Sequence, residues 1–222
     1  MAVTKRSFPR LVDKPVWSFA SDGSLFDLAA PDQASICFLE IGRALSGIYR
    51  FNGRGISDAQ HCVMGAQAIL NEGGSSLLAS LFLLHDAHEG LIGDIVRPLE
   101  GLLVALLSTV AVRAAIQNVK AAWDGPIYTA AGLPAPAECT AQQRKLIKTM
   151  DDRMCAAEAI FHFGQRAAAD FPRFIVPKTT GSFVIWPQAK SEEQFQKMLY
   201  RLIGEERVVS QAAIAAAARA VR

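Results

Sequence analysis

The chain carries four histidines, and three of them, His61, His85 and His88, fall in two adjacent segments that have the composition of helices. His61 shares a helical face with Met64, Gly65 and Ala68, at spacings of three, four and seven residues, so it points inward. His85 continues the apolar stripe of Leu78, Leu81 and Phe82, and Asp86 stands immediately beside it. An ionised aspartate at the end of a buried helix is costly unless a cation or several hydrogen bonds compensate it. No Lys or Arg occurs from Gly55 through Val96, so a bound cation is the simplest local neutraliser, although a cation from elsewhere in the chain would also serve.

A further carboxylate comes from the segment after Thr140. There Asp151 shares a face with Ile147, Met154 and Cys155, whereas Asp152, about 100° further round, falls beside Lys148 and is expected to be solvated or paired. His61, His85, Asp86 and Asp151 together make a mixed nitrogen and oxygen set. It suits one divalent transition metal such as manganese, cobalt, nickel, iron or zinc better than calcium. Such an ion makes water a nucleophile near neutral pH, which is the chemistry of metal-assisted hydrolysis. Taken singly, each residue has a plainer explanation. A lone inward histidine is usually a hydrogen-bonded core residue, and His162 is assigned to that class. Glu89 alone is an ordinary surface carboxylate, Asp94 after Gly93 a helix-stop or N-cap residue, and Arg50 a surface cation.

The elements that must position these residues are helical, because Ala, Leu, Gln and Glu dominate most of the chain, and the predicted fold class is all-α. Residues 1–31 form an irregular arm or short hairpin, rich in aromatics, Gly, Asp and Pro, and residues 32–222 form the helical domain. A helix is predicted from Asp32 to Leu45. Another is capped by Ser57 with Gln60 three residues on and runs to the NEGG stop, and the apolar run SSLLASLFLLHDAHEG forms a helix through the core. Leu99 to Val112 is nearly uncharged and too short to cross a bilayer, which predicts a buried core helix. DGPIYTAAGLPAPAE is expected to be loop-like. Thr140 with Gln143 opens a long helix ending near Gly164, FPRFIVPKTTGSFVIWP makes a surface excursion with a short extended pair, and helices over 191–202 and 205–220 finish the domain.

Composition narrows the function. The formal charge of +2 gives no argument for a nucleic-acid polymer or a membrane surface, and a small anion needs only a local cation. Cys37, Cys62, Cys139 and Cys155 have no metal-ribbon or paired spacing, and the N-terminus has no signal-peptide pattern, so reduced thiols in a cytoplasmic protein are expected.

The segment HDAHEGLIGDIVRPLE resembles the signature of the HD-domain phosphohydrolases, in particular the branch resembling five-prime-deoxynucleotidases, in which HDAxE is followed by GD and a proline. RFNGRGISDAQHCVMGA is similar to that branch's arginine loop and first-histidine helix, and LIKTMD to the helix of its last metal aspartate, so the resemblance spans about Phe26 to Gly164. It implies an HD-domain helical bundle in which His61, His85, Asp86 and Asp151 hold the metal. Glu89 and Asp94 become catalytic carboxylates, and Arg50, followed by Phe51, binds the substrate phosphate. Arg54 is the rival cation. Phe51 stands where that branch often has Trp, which bears on sugar discrimination, and His88 falls at a variable position without an assigned role. The implied substrate is a small-molecule nucleotide, first a deoxyribonucleoside monophosphate. A triphosphohydrolase using Arg54, Arg97 or Lys148 for the extra phosphates is the enzymatic alternative. A silent nucleotide-binding module and a two-iron oxygenase are the others. The two C-terminal helices are candidates for a homodimer contact.

Overall fold

The structure is a computed structural model that describes residues 7–107, 110–171 and 173–220. It is mostly helical, as composition predicts, with one small sheet among the described residues. That sheet is a hairpin in the N-terminal arm, in which β1 (Trp17–Phe19) pairs antiparallel with β2 (Leu25–Asp27), Ser18 opposite Phe26. A 3-10 turn over Gln33–Ser35, capped by Asp32, follows. The first helix, α1 (Phe38–Gly47), therefore begins later than predicted.

A single turn, α2 (Arg50–Gly53), links α1 to α3 (Asp58–Asn71), and then come α4 (Ser76–Leu83), α5 (Glu89–Ile92) and α6 (Arg97–Leu107). The chain continues through α7 (Val110–Ala131), α8 (Ala141–Phe163) and α9 (Gln188–Leu199), and a π-helical turn over Tyr200–Gly204 joins α9 to α10 (Glu205–Ala220).

α3 is the central helix and packs against α1, α4, α8 and α9. Its start is fixed by Ser57, whose hydroxyl accepts from the Gln60 amide. Gln60 does not complete the reciprocal cap. Its side chain instead donates to the Val184 carbonyl and accepts from the Trp186 amide, so it clamps the excursion after α8 onto the core. Gly65 sets the distance between α3 and α4. A Cβ there would meet the Phe82 ring at 2.1 Å, so only glycine lets the two helices come this close. Phe38, Ile41, Leu45, Phe82, Trp123 and Phe195 fill the surrounding core, each burial contributing roughly 1.5–3 kcal/mol.

Several expectations need correction. The core helix stops at Leu83, and residues 84–88 continue as overlapping tight turns, with Ala87 donating to Leu84 and Glu89 to Asp86. DGPIYTAA is helix, not loop, because α7 runs straight through Pro126. A proline inside a helix costs about 3 kcal/mol. Here Trp123, Ile127 and Tyr128, all buried, offset it, and their polar tips are satisfied, Trp123 Nε1 by the Leu28 carbonyl and Tyr128 Oη by the Leu81 carbonyl.

The Leu99–Val112 stretch is not a buried core helix. α6 contains no buried residue, and with the start of α7 it forms an exposed apolar hairpin in which Leu106 is 69% and Val110 81% accessible. The excursion after α8 shows no extended pair among its described residues. Thr140 and Gln143, by contrast, make the full reciprocal cap of α8.

Candidate metal centre

The centre lies where α3, the turns after α4 and the middle of α8 meet. His61 is wholly buried on α3, and its Nδ1 lies 2.6 Å from Glu158 Oε1. His85 Nδ1 lies 2.7 Å from the Phe82 carbonyl, a contact produced by the tight turn that ends α4. A carbonyl or carboxylate oxygen only accepts, so each Nδ1 carries the proton and each Nε2 is left facing the gap between helices. Neither Nε2 has a hydrogen-bond partner, although both are buried.

These two unpartnered nitrogens converge on one carboxylate. Asp151 Oδ1 stands 3.5 Å from His61 Nε2 and 3.8 Å from His85 Nε2, and the three ligand atoms lie within 4.8 Å of one another. Asp86 joins through His85, its Oδ2 being 3.0 Å from His85 Nε2 but off the line of a hydrogen bond. It forms a second close group with His85 and Cys62 rather than with His61 and Asp151. Burial pushes the Cys62 thiol up to about 11, so it is held as a neutral thiol. All four residues named from the sequence therefore meet at His85, three in one tight group and Asp86 at its edge. The residues present fit a divalent ion: two oriented imidazoles with unused nitrogens and two carboxylates. Coordinating histidines are oriented in this way when a carboxylate or carbonyl takes the other ring N–H.

Arg50 reaches the same gap from α2. Its Nε donates to Glu158 at 2.9 Å, its Nη1 to Asp58 at 3.2 Å, and Nη1 also lies 3.8 Å from Asp86 Oδ2. The loop that delivers it is strained, since Phe51 and Asn52 both take left-handed backbone angles, and the Phe51 ring packs edge-on against Phe163. Arg54 is exposed at the end of this turn.

The electrostatics follow from crowding six carboxylates, Asp58, Asp86, Glu89, Asp94, Asp151 and Glu158, around few cations. Burial opposes ionisation of Asp86 and Asp151, but His85 outweighs it and holds both carboxyls low. Burial likewise opposes the charge on His85, and Asp86 and Asp151 overcome it, raising that imidazole well above its ordinary value. Burial and then neighbouring negative charge push Glu89 up, while partial desolvation of its carboxyl raises Asp94, which is otherwise open to solvent just beyond Gly93. Asp58 is raised well above the carboxylate range by burial despite Arg50. On the outer side, Asp151 Oδ2 meets Arg97 and Lys148, each at 3.2 Å, and Asp152 is exposed and paired with Lys148.

Four participants were missed in the sequence. Glu158 is fully buried two helical turns after Asp151, and their seven-residue spacing places both on one face of α8. Asp58 is the first residue of α3. Lys120, which donates to Glu89 Oε1 at 3.0 Å, and Asp124, 2.9 Å from His88 Nδ1, share a face of α7 at a spacing of four. The seven-residue repeat in MDDRMCAAE could have shown Glu158. The other pair was hidden by reading DGP as a loop. His162 stays apart from the centre, half-buried against Phe161, and its Nε2 lacks the hydrogen bond expected of a core histidine. No family model and no curated protein matches the chain. No helix among the described residues is long and apolar enough to cross a membrane.

Proposed function

We propose that the chain is a metal-dependent phosphohydrolase with an HD-domain helical bundle, acting on nucleotides and first on deoxyribonucleoside monophosphates. The observation that carries this reading is the pair of buried, unpartnered Nε2 atoms of His61 and His85. Each is fixed by a hydrogen bond at Nδ1, and both face Asp151 with Asp86 alongside. A divalent ion held by these four residues supplies Lewis acidity, lowering the pKa of water and drawing charge from phosphoryl oxygens.

The chain's own groups do the rest. Arg50 is anchored through Nε and Nη1, so its remaining Nη2 is the atom placed to meet a phosphate oxygen without reorganisation of the guanidinium. Glu89, buried and held by Lys120, is suited to take a proton from the attacking water and return it to the departing sugar oxygen. The new P–O bond comes from water, the ester P–O bond breaks, and nucleoside and phosphate leave. Asp94, just beyond Gly93, is assigned to the sugar or the reacting phosphate. Phe51, next to Arg50, is assigned to the wall facing the substrate.

One observation favours a second reading. Arg97 and Lys148 flank Asp151 on its outer side, and both side chains are more than half exposed, which suits additional phosphates. A triphosphohydrolase would use them. The test is a metal-supplemented screen of nucleoside mono-, di- and triphosphates, with Asp86→Ala as control. Inorganic phosphate from a monophosphate supports the first reading, and intact triphosphate from a triphosphate supports the second. Equal turnover by wild type and Asp86→Ala contradicts both.

A further inference from the structure

His88 has the same preparation as the two proposed ligands. It is 4% exposed, its Nδ1 lies 2.9 Å from Asp124 Oδ1, and its buried Nε2 has no hydrogen-bond partner. The carboxylate of Asp124 accepts only, so the proton sits on Nδ1 and the lone pair of Nε2 is directed away from α7. What Nε2 faces is carboxylate: Glu89 Oε1 is 3.9 Å away, and ligand atoms of Asp86, His88 and Glu89 all lie within 4.8 Å of one another. A histidine whose only task was packing would gain nothing from a buried nitrogen without a partner, since an unsatisfied buried acceptor costs about 1–3 kcal/mol.

We propose that His88, Glu89 and Asp86 form a second divalent-cation site that shares Asp86 with the first. The inference rests on the metal-centre reading above, because Asp86 is common to both. Its ligand set of one imidazole and two carboxylates fits a borderline ion such as manganese, cobalt or zinc. Lys120 sets its strength. The Lys120 ammonium is the cation now paired with Glu89 Oε1, so an incoming ion must displace it, and the second position binds more weakly than the first. The tight turns over residues 84–88 bring this about: with i-to-i−3 bonds replacing the helical pattern, His88 gathers with Asp86 and Glu89 in one place, which a regular α-helix would not allow for residues one and two apart.

Equilibrium binding of manganese to the metal-stripped full chain, counted by the EPR signal of free ion, tests the proposal. Wild type binds two ions per chain, one tighter than the other. His88→Gln keeps the tight ion and loses the weaker one, while His61→Gln loses the tight one. Lys120→Met removes no ligand and no core volume, so it remains informative if His88→Gln fails to fold. It tightens the weaker site by on the order of tenfold, as expected when a competing cation is removed. A single ion per chain in wild type and in Lys120→Met overturns the second site while leaving the first intact. No bound ion at all overturns both.

Discussion

The candidate metal centre and the α6–α7 hairpin invert the usual relation between polarity and burial. At the junction of α3, α4, α5 and α8, His61, His88, Asp58, Glu89 and Glu158 are all buried. In the hairpin, Leu99, Leu102, Leu106, Leu107 and Val110 are all exposed. A buried charge survives only with partners, and the centre shows how they are supplied: Glu158 serves both His61 and Arg50, and Arg50 serves Asp58 and Asp86 in turn. The hairpin has no such network and no core to enter, because the space around α3 is already taken by α1, α4, α8 and α9. Hydropathy alone therefore misplaces both regions, and position relative to α3 decides them.

Substitutions sharpen this contrast in a definite order. The largest effect belongs to Asp86→Ala, which removes the carboxylate shared across the centre and lowers the proposed phosphohydrolase turnover by on the order of a thousandfold or more, read in the nucleotide screen. Next comes Phe82→Ala. It empties the contact between α3 and α4 and lowers unfolding free energy by about 3–5 kcal/mol in urea titration. Glu158→Gln leaves His61 without its charged partner and weakens metal affinity by about 10–100-fold, measured by competition with a chelator.

A smaller effect is expected at Glu72, whose carboxylate meets Arg153 through two bonds and the Lys178 amide, holding its pKa below the ordinary value. A depressed carboxyl contributes stability above its unfolded pKa and loses it as pH falls through the folded one. Glu72→Gln therefore costs about 1 kcal/mol at neutral pH, solvent screening keeping the figure small, and the gap from wild type closes in acid. The smallest belongs to Leu106→Lys in the hairpin, with a change within about 0.5 kcal/mol by the same titration. A loss as large as that of Phe82→Ala would mean that the hairpin is buried after all.

The sequence made the helical class, the Ser57 and Thr140 starts and the inward faces of His61 and Asp151 legible, because each rests on local pattern, and it left the N-terminal hairpin as one of two alternatives. The helix through Pro126 was not legible. Its cost is local, whereas the compensating burial of Trp123 and Ile127 is tertiary. The exposure of Leu106 was hidden for the same reason. At the centre, the donors could be named from residue type, but Lys120 and Asp124 enter from α7, whose packing no periodicity describes. Because His85 and Asp86 lie on tight turns instead of a helix, the groups around them differ from those helical spacing names, and His88 is among them.

On the reading proposed above, His61, His85, Asp86 and Asp151 together hold one ion. Anomalous scattering at the manganese edge, from crystals grown with that metal, tests it most directly. A peak about 2 Å from the Nε2 atoms of His61 and His85 and from carboxylate oxygens of Asp86 and Asp151 is the predicted result. Manganese bound only at other residues, with these four atoms uncoordinated, would contradict it.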